Sequence, residues 1–379
     1  MSPKYNSRDR VMKALNNKEP DEVPVDFGAT VNSSIVKEGY ISLCEYLDLP
    51  AGDPGFINRM MRSVEVKDQI QDYFSADVRG VFPETSAEIE WLDDNVYRDH
   101  WGLEWEKNKY YYELRKSPLA GEISRSDIED YDWPDPASIE VEDLNEKIDN
   151  LREEYDSALV LSLPSCFIHT SQYLRGFEEW YLDCAANPRL LTHLFDRVLE
   201  INMEISRKIL QQAGERADII KFADDLGSQR GLQISPDFFR KHIKPRFKKY
   251  IDQIYEFVDE PKVFIHSCGS IEPILTDFIE IGIDIINPVQ TSAAEMAPEK
   301  LKNEYGEELS FWGAVDTQKV LRNESPAVVR KEVERLVRIL GEGGGFVLGA
   351  VHNIQPDVPP ENIEAMFLHA KEFSRNFYQ

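Results

Sequence analysis

Two histidines and a cysteine stand at the ends of apolar runs in the C-terminal half of the chain. His266 and Cys268 close the run KVFIHSCG (262–269), and His352 closes GGFVLGAVH (344–352). On a strand, residues i and i+2 point to the same side, so an imidazole nitrogen and a thiolate at this spacing can face one ion. Imidazole plus thiolate is a zinc-type donor set, and three protein ligands with a fourth position open is the catalytic arrangement. His352 is the third candidate ligand; read without a metal, it is a general acid–base or a hydrogen-bond partner for substrate. For the His-x-Cys pair the plain alternative is a buried cysteine beside a hydrogen-bonded histidine.

Such residues act together only if the elements carrying them converge. Eight short apolar runs are present: VPVDF (23–27), DVRGVF (77–82), SALVLSL (157–163), DIIKFADD (218–225), KVFIHSCG, GIDIINPVQ (282–290), LSFWGAVD (309–316) and GGFVLGAVH. From the third onward, stretches with helical patterning separate them. Examples are NPRLLTHLFDRVLEINMEISRKILQQAG and SPAVVRKEVERLVRILGEGG, the second opening on Ser-Pro and ending in glycines, as a helix does. This alternation implies parallel strands joined by right-handed crossovers. Eight repeats close into a (β/α)8 TIM barrel; five or six would give an open doubly wound sheet. The first run is followed by no GxGxxG turn, and there is no Walker A pattern.

A TIM barrel carries its active site at the C-terminal strand ends. The eight runs deliver there, in order, Asp26; Arg79, Phe82 and Glu84; Ser162, Ser165 and Cys166; Asp224 and Asp225; His266 and Cys268; Asn287 and Gln290; Asp316; and His352 with Asn353. We expect Asp225, His352, Asp316 and Asn287 to serve catalysis and Asp26, Arg79, Asp224, Gln290 and Asn353 to contact substrate. The expected metal ligands are His266, Cys268 and His352. Asp225 or Asp316 alone also reads as a turn or helix-cap residue. His100 and His169 could reach the mouth on loops. His193, His242 and His369 fall in helical patterns and read as surface or packing residues.

Two regions stand outside the alternation. SRDRVMKALNN (7–17) reads as an amphipathic N-terminal helix with Val11, Ala14 and Leu15 on one face, stopped by Glu19-Pro20. EIEWLDDNVYRDHWGLEWEKNKYYY (88–112) is rich in Trp and Tyr, with turn residues at Asp93-Asp94 and Gly102, and reads as an inserted β-hairpin or meander. Its aromatics read first as packing, and alternatively as the lining of a pocket for a flat apolar substrate. The stretch after it, LRKSPLAGEISRSDIEDYDWPDPAS, reads as irregular connection stopped by Pro134 and Pro136. The expected organisation is one domain over 1–379 with an insertion at about 86–136.

Bulk properties bound the function. A barrel takes roughly 250 residues, so a chain of 379 leaves room for the extension and insertion. Its 42% hydrophobic and 30% charged residues suit a packed core. With 43 Lys+Arg against 69 Asp+Glu, the net charge of −26 disfavours nucleic acid and anionic membrane surfaces and favours solubility. Cys44, Cys166, Cys184 and Cys268 form no CxxC pair, and no signal-like or membrane-length apolar run is present, which points to a cytoplasmic protein with free thiols.

The segments RDRVMKALNNKEPDEVPVDFGA, DDLGSQRGLQISPDFF, FIHSCGSIEPILTDFIEIGIDIINPVQ, FWGAVDTQ and HNIQPDVPPENI resemble, in order and over nearly the whole chain, the uroporphyrinogen decarboxylase superfamily. The resemblance implies a (β/α)8 barrel. The decarboxylase branch carries an Arg-Gln-Ala-Gly-Arg stretch after the first strand that grips porphyrinogen carboxylates. Here that stretch is GATVNSSI (28–35), without arginine, so a tetracarboxylic substrate would lose its cationic partners. The second branch resembles cobalamin-dependent methyltransferases, with zinc held by a His-x-Cys on strand five and a Cys at the end of strand eight. His266 and Cys268 match the pair; His352 stands where that branch usually carries Cys, and His-Cys-His remains a zinc donor set.

The resemblance therefore implies a zinc-dependent methyltransferase or demethylase moving a methyl group between a small donor or acceptor of methoxyl, methylamine or thiol type and a corrinoid. Histidine in place of cysteine and the aromatic insertion favour the demethylase direction. The chain has no DxHxxG-type corrinoid module, so the corrinoid (cobalamin) comes free or on a partner protein. Family likeness also suggests a homodimer. The alternative is a metal-independent decarboxylase or lyase on a smaller acid, with His352 and Asp26 moving protons and Arg79 holding a carboxylate.

Overall fold

Strands apolar on both faces, such as ALVLS and IIKFA, suit a parallel sheet covered on both sides. The computed structural model describes residues 4–378. A short antiparallel hairpin, β1 (Phe56–Asn58) and β2 (Ser63–Val64), precedes the first barrel strand, β3 (Val78–Val81). Next come β4 (Glu90–Trp91), β5 (Val96–Arg98), β6 (Glu104–Asn108) and β7 (Tyr111–Lys116). The remaining strands are β8 (Ala158–Ser162), β9 (Ile219–Ala223), β10 (Lys262–His266), β11 (Ile285–Asn287), β12 (Ser310–Val315) and β13 (Phe346–Ala350). The parallel sheet runs β13-β12-β11-β10-β9-β8-β3.

The 23–27 segment fills the eighth place in the ring. Val25 forms a parallel bridge with Leu348 of β13, and on the other side the Asp77 N–H donates to the Val25 carbonyl. The expected strand is reduced to this bridge for a chemical reason. Pro24 has no N–H to give, and the Val25 N–H donates to the Asp77 carboxylate at 2.8 Å instead of to a neighbouring strand. The architecture is the expected (β/α)8 barrel.

Inside the ring Val78, Ala158, Val160, Ile219, Phe264, Ile285, Trp312 and Val347 form one apolar cluster. The N-terminal helix, Ser7–Leu15, closes its lower end by adding Val11 and Leu15 to that cluster. It ends before the Pro20 that sequence assigned as its stop, because Asn17 adopts a left-handed conformation (φ 52°). Beneath it, Arg10 reaches Asp77 at 2.6 Å, and Lys371 bridges Glu22 and Asp77 at 2.9 and 2.5 Å. The strand ends opposite this sealed floor are left to carry chemistry.

The aromatic stretch is an antiparallel meander, β4-β5-β6-β7. The region after it is less irregular than the sequence suggests. Leu114 to Lys116 complete β7, and Ser124 and Asp127 form a capping box that starts a short helix, Arg125–Glu129. Among the described residues no helix is long and apolar enough to cross a membrane.

Candidate metal centre

His266 ends β10 with its ring on the inner face, one step above Phe264. Cys268 lies beyond the strand, so the i, i+2 alternation expected from sequence is not what places it. A turn does. The Cys268 N–H donates to Asp225 Oδ1 at 2.8 Å, and the Gly269 N–H donates to Gln290 Oε1 at 2.7 Å. Gly269 sits at φ +87°, and a Cβ there would come within 2.4 Å of the Gly227 backbone. The turn brings Cys268 Sγ to 3.3 Å from His266 Nε2. Replacing Gly269 with alanine is expected to lower stability by about 1–3 kcal/mol and to loosen this pair; urea unfolding beside a thiol-accessibility assay checks both.

His352, just past β13, completes the group. The donor atoms of His266, Cys268 and His352 all lie within 4.8 Å of one another. Each imidazole has its other nitrogen tied. His266 Nδ1 lies 2.5 Å from Asn287 Oδ1, and the Asn287 amide is oriented by donating to the Trp312 carbonyl at 3.1 Å. His352 Nδ1 lies 2.5 Å from Asn353 Oδ1, and Asn353 donates to Ser63 Oγ at 3.0 Å. The asparagine oxygens can only accept, so both Nδ1 atoms carry the proton and both Nε2 lone pairs face inward.

Charge favours the same state. Burial pulls His266 down to about 3, with His352 adding to the fall and Asp225 opposing it. Burial also lowers His352. Burial pushes the Cys268 thiol well up, helped by the Asp225 charge. The group therefore presents two neutral imidazoles and a thiol that gives up its proton only to a strong positive charge. Two inward lone pairs, a soft sulfur donor and tied outer nitrogens fit a zinc ion.

One residue in the group was not read from sequence. Asn32 Nδ2 lies 3.0 Å from His266 Nε2 and 3.5 Å from His352 Nε2, so its amide meets both lone pairs. It belongs to the arginine-free stretch GATVNSSI. Tyr111, on β7 of the meander, is a second addition: its hydroxyl donates to Asn353 Oδ1 at 2.9 Å. Most of the insertion's aromatics pack, as Tyr97, Trp101 and Trp105 do, yet the meander also supplies a hydroxyl to the site.

The other residues expected at the site divide. Asp225 touches it directly through Cys268. His169 Nε2 lies 3.5 Å from Asp225 Oδ2 and its Nδ1 3.5 Å from Asp224 Oδ1, so this histidine does reach the mouth, from the first turn of the helix Ile168–Arg175 and not from a loop. Burial works against ionisation of Asp225, but the hydrogen bond and charge of His169, with His266 and the Cys268 N–H, outweigh it and lower its pKa. Gln290 and Asp316 line a cavity of about 210 Å³ that is open to Cys268 and His352. One Asp316 oxygen also accepts from the Gln318 and Lys319 N–H groups, the turn role weighed from sequence.

Three expected substrate contacts are occupied elsewhere. Asp224 caps the helix Ile168–Arg175, accepting from the Phe167, Ile168 and His169 N–H groups. Asp26 is fully buried, accepting from Trp312 Nε1 at 2.8 Å and from the Ala29 N–H at 2.9 Å, and so anchors the stretch that carries Asn32. Arg79 is turned out of the barrel: Val78 points inward, so the next residue on the strand points out. There it donates to the Ala76 carbonyl and to Asp72 and lies over the Tyr155 ring.

The family model described as uroporphyrinogen decarboxylase (URO-D) matches residues 111–373. Curated uroporphyrinogen decarboxylases from Rickettsia africae and Pelodictyon phaeoclathratiforme are 24% identical over 164 residues and 26% identical over 184. These matches cover 43% and 47% of this chain and 44% and 49% of the relatives, so the chain spans about half the length of the curated relatives it matches. Among solved structures, a methyltransferase from Methanosarcina mazei superposes with a TM-score of 0.64 at 18% identity, covering 98% of this chain and 99% of that one, a likeness of fold. The motifs, the barrel and a match over well more than half of its length agree: the chain belongs to the uroporphyrinogen decarboxylase (URO-D) family.

Proposed function

We propose that the protein is a zinc-dependent methyltransferase or demethylase that moves a methyl group between a small substrate and a corrinoid, free or carried by a partner protein. The observation carrying this reading is the convergence of His266, Cys268 and His352 with both outer imidazole nitrogens tied. The methyltransferase named among the structural neighbours supports it.

Zinc, when bound, supplies Lewis acidity that makes a methoxyl oxygen a better leaving group or a thiol a better nucleophile. The chain's own residues do the rest. Cys268 releases its thiol proton on loading. Asn287 and Asn353 keep the donor nitrogens facing inward. Asp225 and Gln290 hold the Cys268 turn. Gln290 and Asp316 meet the substrate in the adjoining cavity, where Asp316 orients it or supplies a proton. Asn32 and Tyr111 fix the mouth above the ligands.

The alternative, a metal-independent decarboxylase or lyase acting on a smaller acid, is less well served here. Its carboxylate grip was assigned to Arg79, which points away from the site, and Asp26 is held by Trp312 and Ala29. The test is spectroscopic: reduced cobalamin is mixed with the zinc-loaded protein and a panel of methoxyl, methylamine and methylthio compounds. A methylcobalamin absorption band that grows with protein concentration is expected. Failure across the panel in both directions of transfer would contradict the reading.

A further inference from the structure

Lys221 sits in the middle of β9, and it faces into the barrel. Ile219, two residues earlier, belongs to the inner apolar cluster, whereas Ile220 and Phe222 pack in the outer layer. Its register partners are Ser162 on β8 and Phe264 on β10, so it lies one step below His266. The residue is only 5% exposed. Among the described residues its ammonium has no hydrogen bond, and no carboxylate lies within 4.0 Å of it. Burial lowers its pKa to about 8, against the pull of Asp225. Asp225 does not neutralise it, being already engaged by His169 at 3.5 Å and by the Cys268 N–H. Beside it, the Ser162 hydroxyl is buried without a partner.

An ammonium inside a barrel with no carboxylate in contact is unfavourable, as is an unpartnered buried hydroxyl. A lysine kept there for packing alone would be better replaced by methionine. We propose that Lys221 and Ser162 form an anion-binding floor beneath the metal group, taking the carboxylate or sulfonate end of a small substrate whose methyl-bearing heteroatom lies above, toward His266 and Cys268. This assignment rests on the proposed function for the heteroatom end and on Lys221 alone for the anionic end. It replaces Arg79 as the cation that selects an acid.

The test compares matched probes by calorimetry on the full chain: methoxyacetate and 2-methoxyethanesulfonate against neutral methoxyacetamide. Wild type is expected to bind at least one anion about 10- to 100-fold more tightly than the amide, and the two anions tell carboxylate from sulfonate recognition. Lys221→Met is expected to lose that preference while keeping amide binding and metal content. Its ligand-free melting temperature is expected to equal or exceed that of wild type, which a structural lysine would not allow. Equal binding of acids and amide by wild type, or an unchanged preference in Lys221→Met, would overturn the proposal. If Lys221→Met does not fold, the lysine is structural and the proposal falls with it. Anion preference without methyl transfer would leave the floor standing and remove the proposed reaction. Methyl transfer without anion preference would do the reverse.

Discussion

Zinc affinity is expected to rise about tenfold for each pH unit between pH 6.5 and pH 8, a gain of about thirtyfold over the window. The sign follows from which ligands hold protons. Burial pulls His266 down to about 3 and lowers His352 as well, so neither imidazole competes with the metal for a proton at neutral pH. Burial, with the charge of Asp225, holds the Cys268 thiol protonated across the window. One proton therefore leaves for each ion bound, and raising the pH favours binding with a slope of one. Histidines at their ordinary pKa of about 6.5 would add a second and third proton below that value and steepen the curve. Competition against a chromophoric chelator of known pH behaviour measures the slope. A slope near two at the acid end of this window would mean that the imidazoles are not held neutral.

The second large effect is expected at Cys268. Removing the thiol in Cys268→Ala takes away one of three donors and the only anionic one. Metal Lewis acidity contributes several kcal/mol to a transition state, and each 1.36 kcal/mol is tenfold in rate. A fall of about 10³ in kcat/KM for methyl transfer follows, and the pH slope of metal affinity flattens. His352→Cys gives the complementary result. It restores the thiolate that the methyltransferase branch carries there, and it is expected to keep bound metal. Loss of metal in His352→Cys, with Asn353 intact, would show that the third position needs an imidazole. Steady-state kinetics and metal content on the same preparations separate these outcomes.

Much of this architecture can be read from the chain because barrel strands are apolar on both faces and end abruptly in polar residues. ALVLS, IIKFA and KVFIH are such runs, and their ends mark the mouth. The His266–Cys268 spacing also marks a donor pair, although the geometry that delivers it is a turn clamped by Asp225 and Gln290. What escaped the sequence depends on closure of the ring. Asn32 meets His266 across 234 positions and His352 across 320, and no local pattern announces either contact. Tyr111 reaches Asn353 across 242 positions, from an insertion whose aromatics otherwise read as packing. Lys221 stands inside the apolar run IIKFA, and its place beneath His266 follows only from the register of β9 with β8 and β10. Arg79 shows the opposite failure. Val78 and Gly80 occupy the inner face of β3, so alternation alone sends Arg79 outward, to Asp72.

The capping roles of Asp224 and Asp316 carry a related lesson. Acidic residues just past strand ends serve both the following backbone and any substrate, and only geometry separates the two. Asp224 gives both of its oxygens to the N–H groups that open a helix. Asp316 gives one oxygen to a turn and faces the cavity beside Cys268 and His352.

The central claim is that three side chains from two strand ends form one metal site. Elemental mass spectrometry of the purified, zinc-supplemented protein beside Cys268→Ala tests it most directly. About one zinc per chain in wild type, with little or none in the variant, is the predicted result. No metal in wild type, or equal metal in both proteins, would contradict the account and leave His352 as an acid–base group in a metal-free barrel.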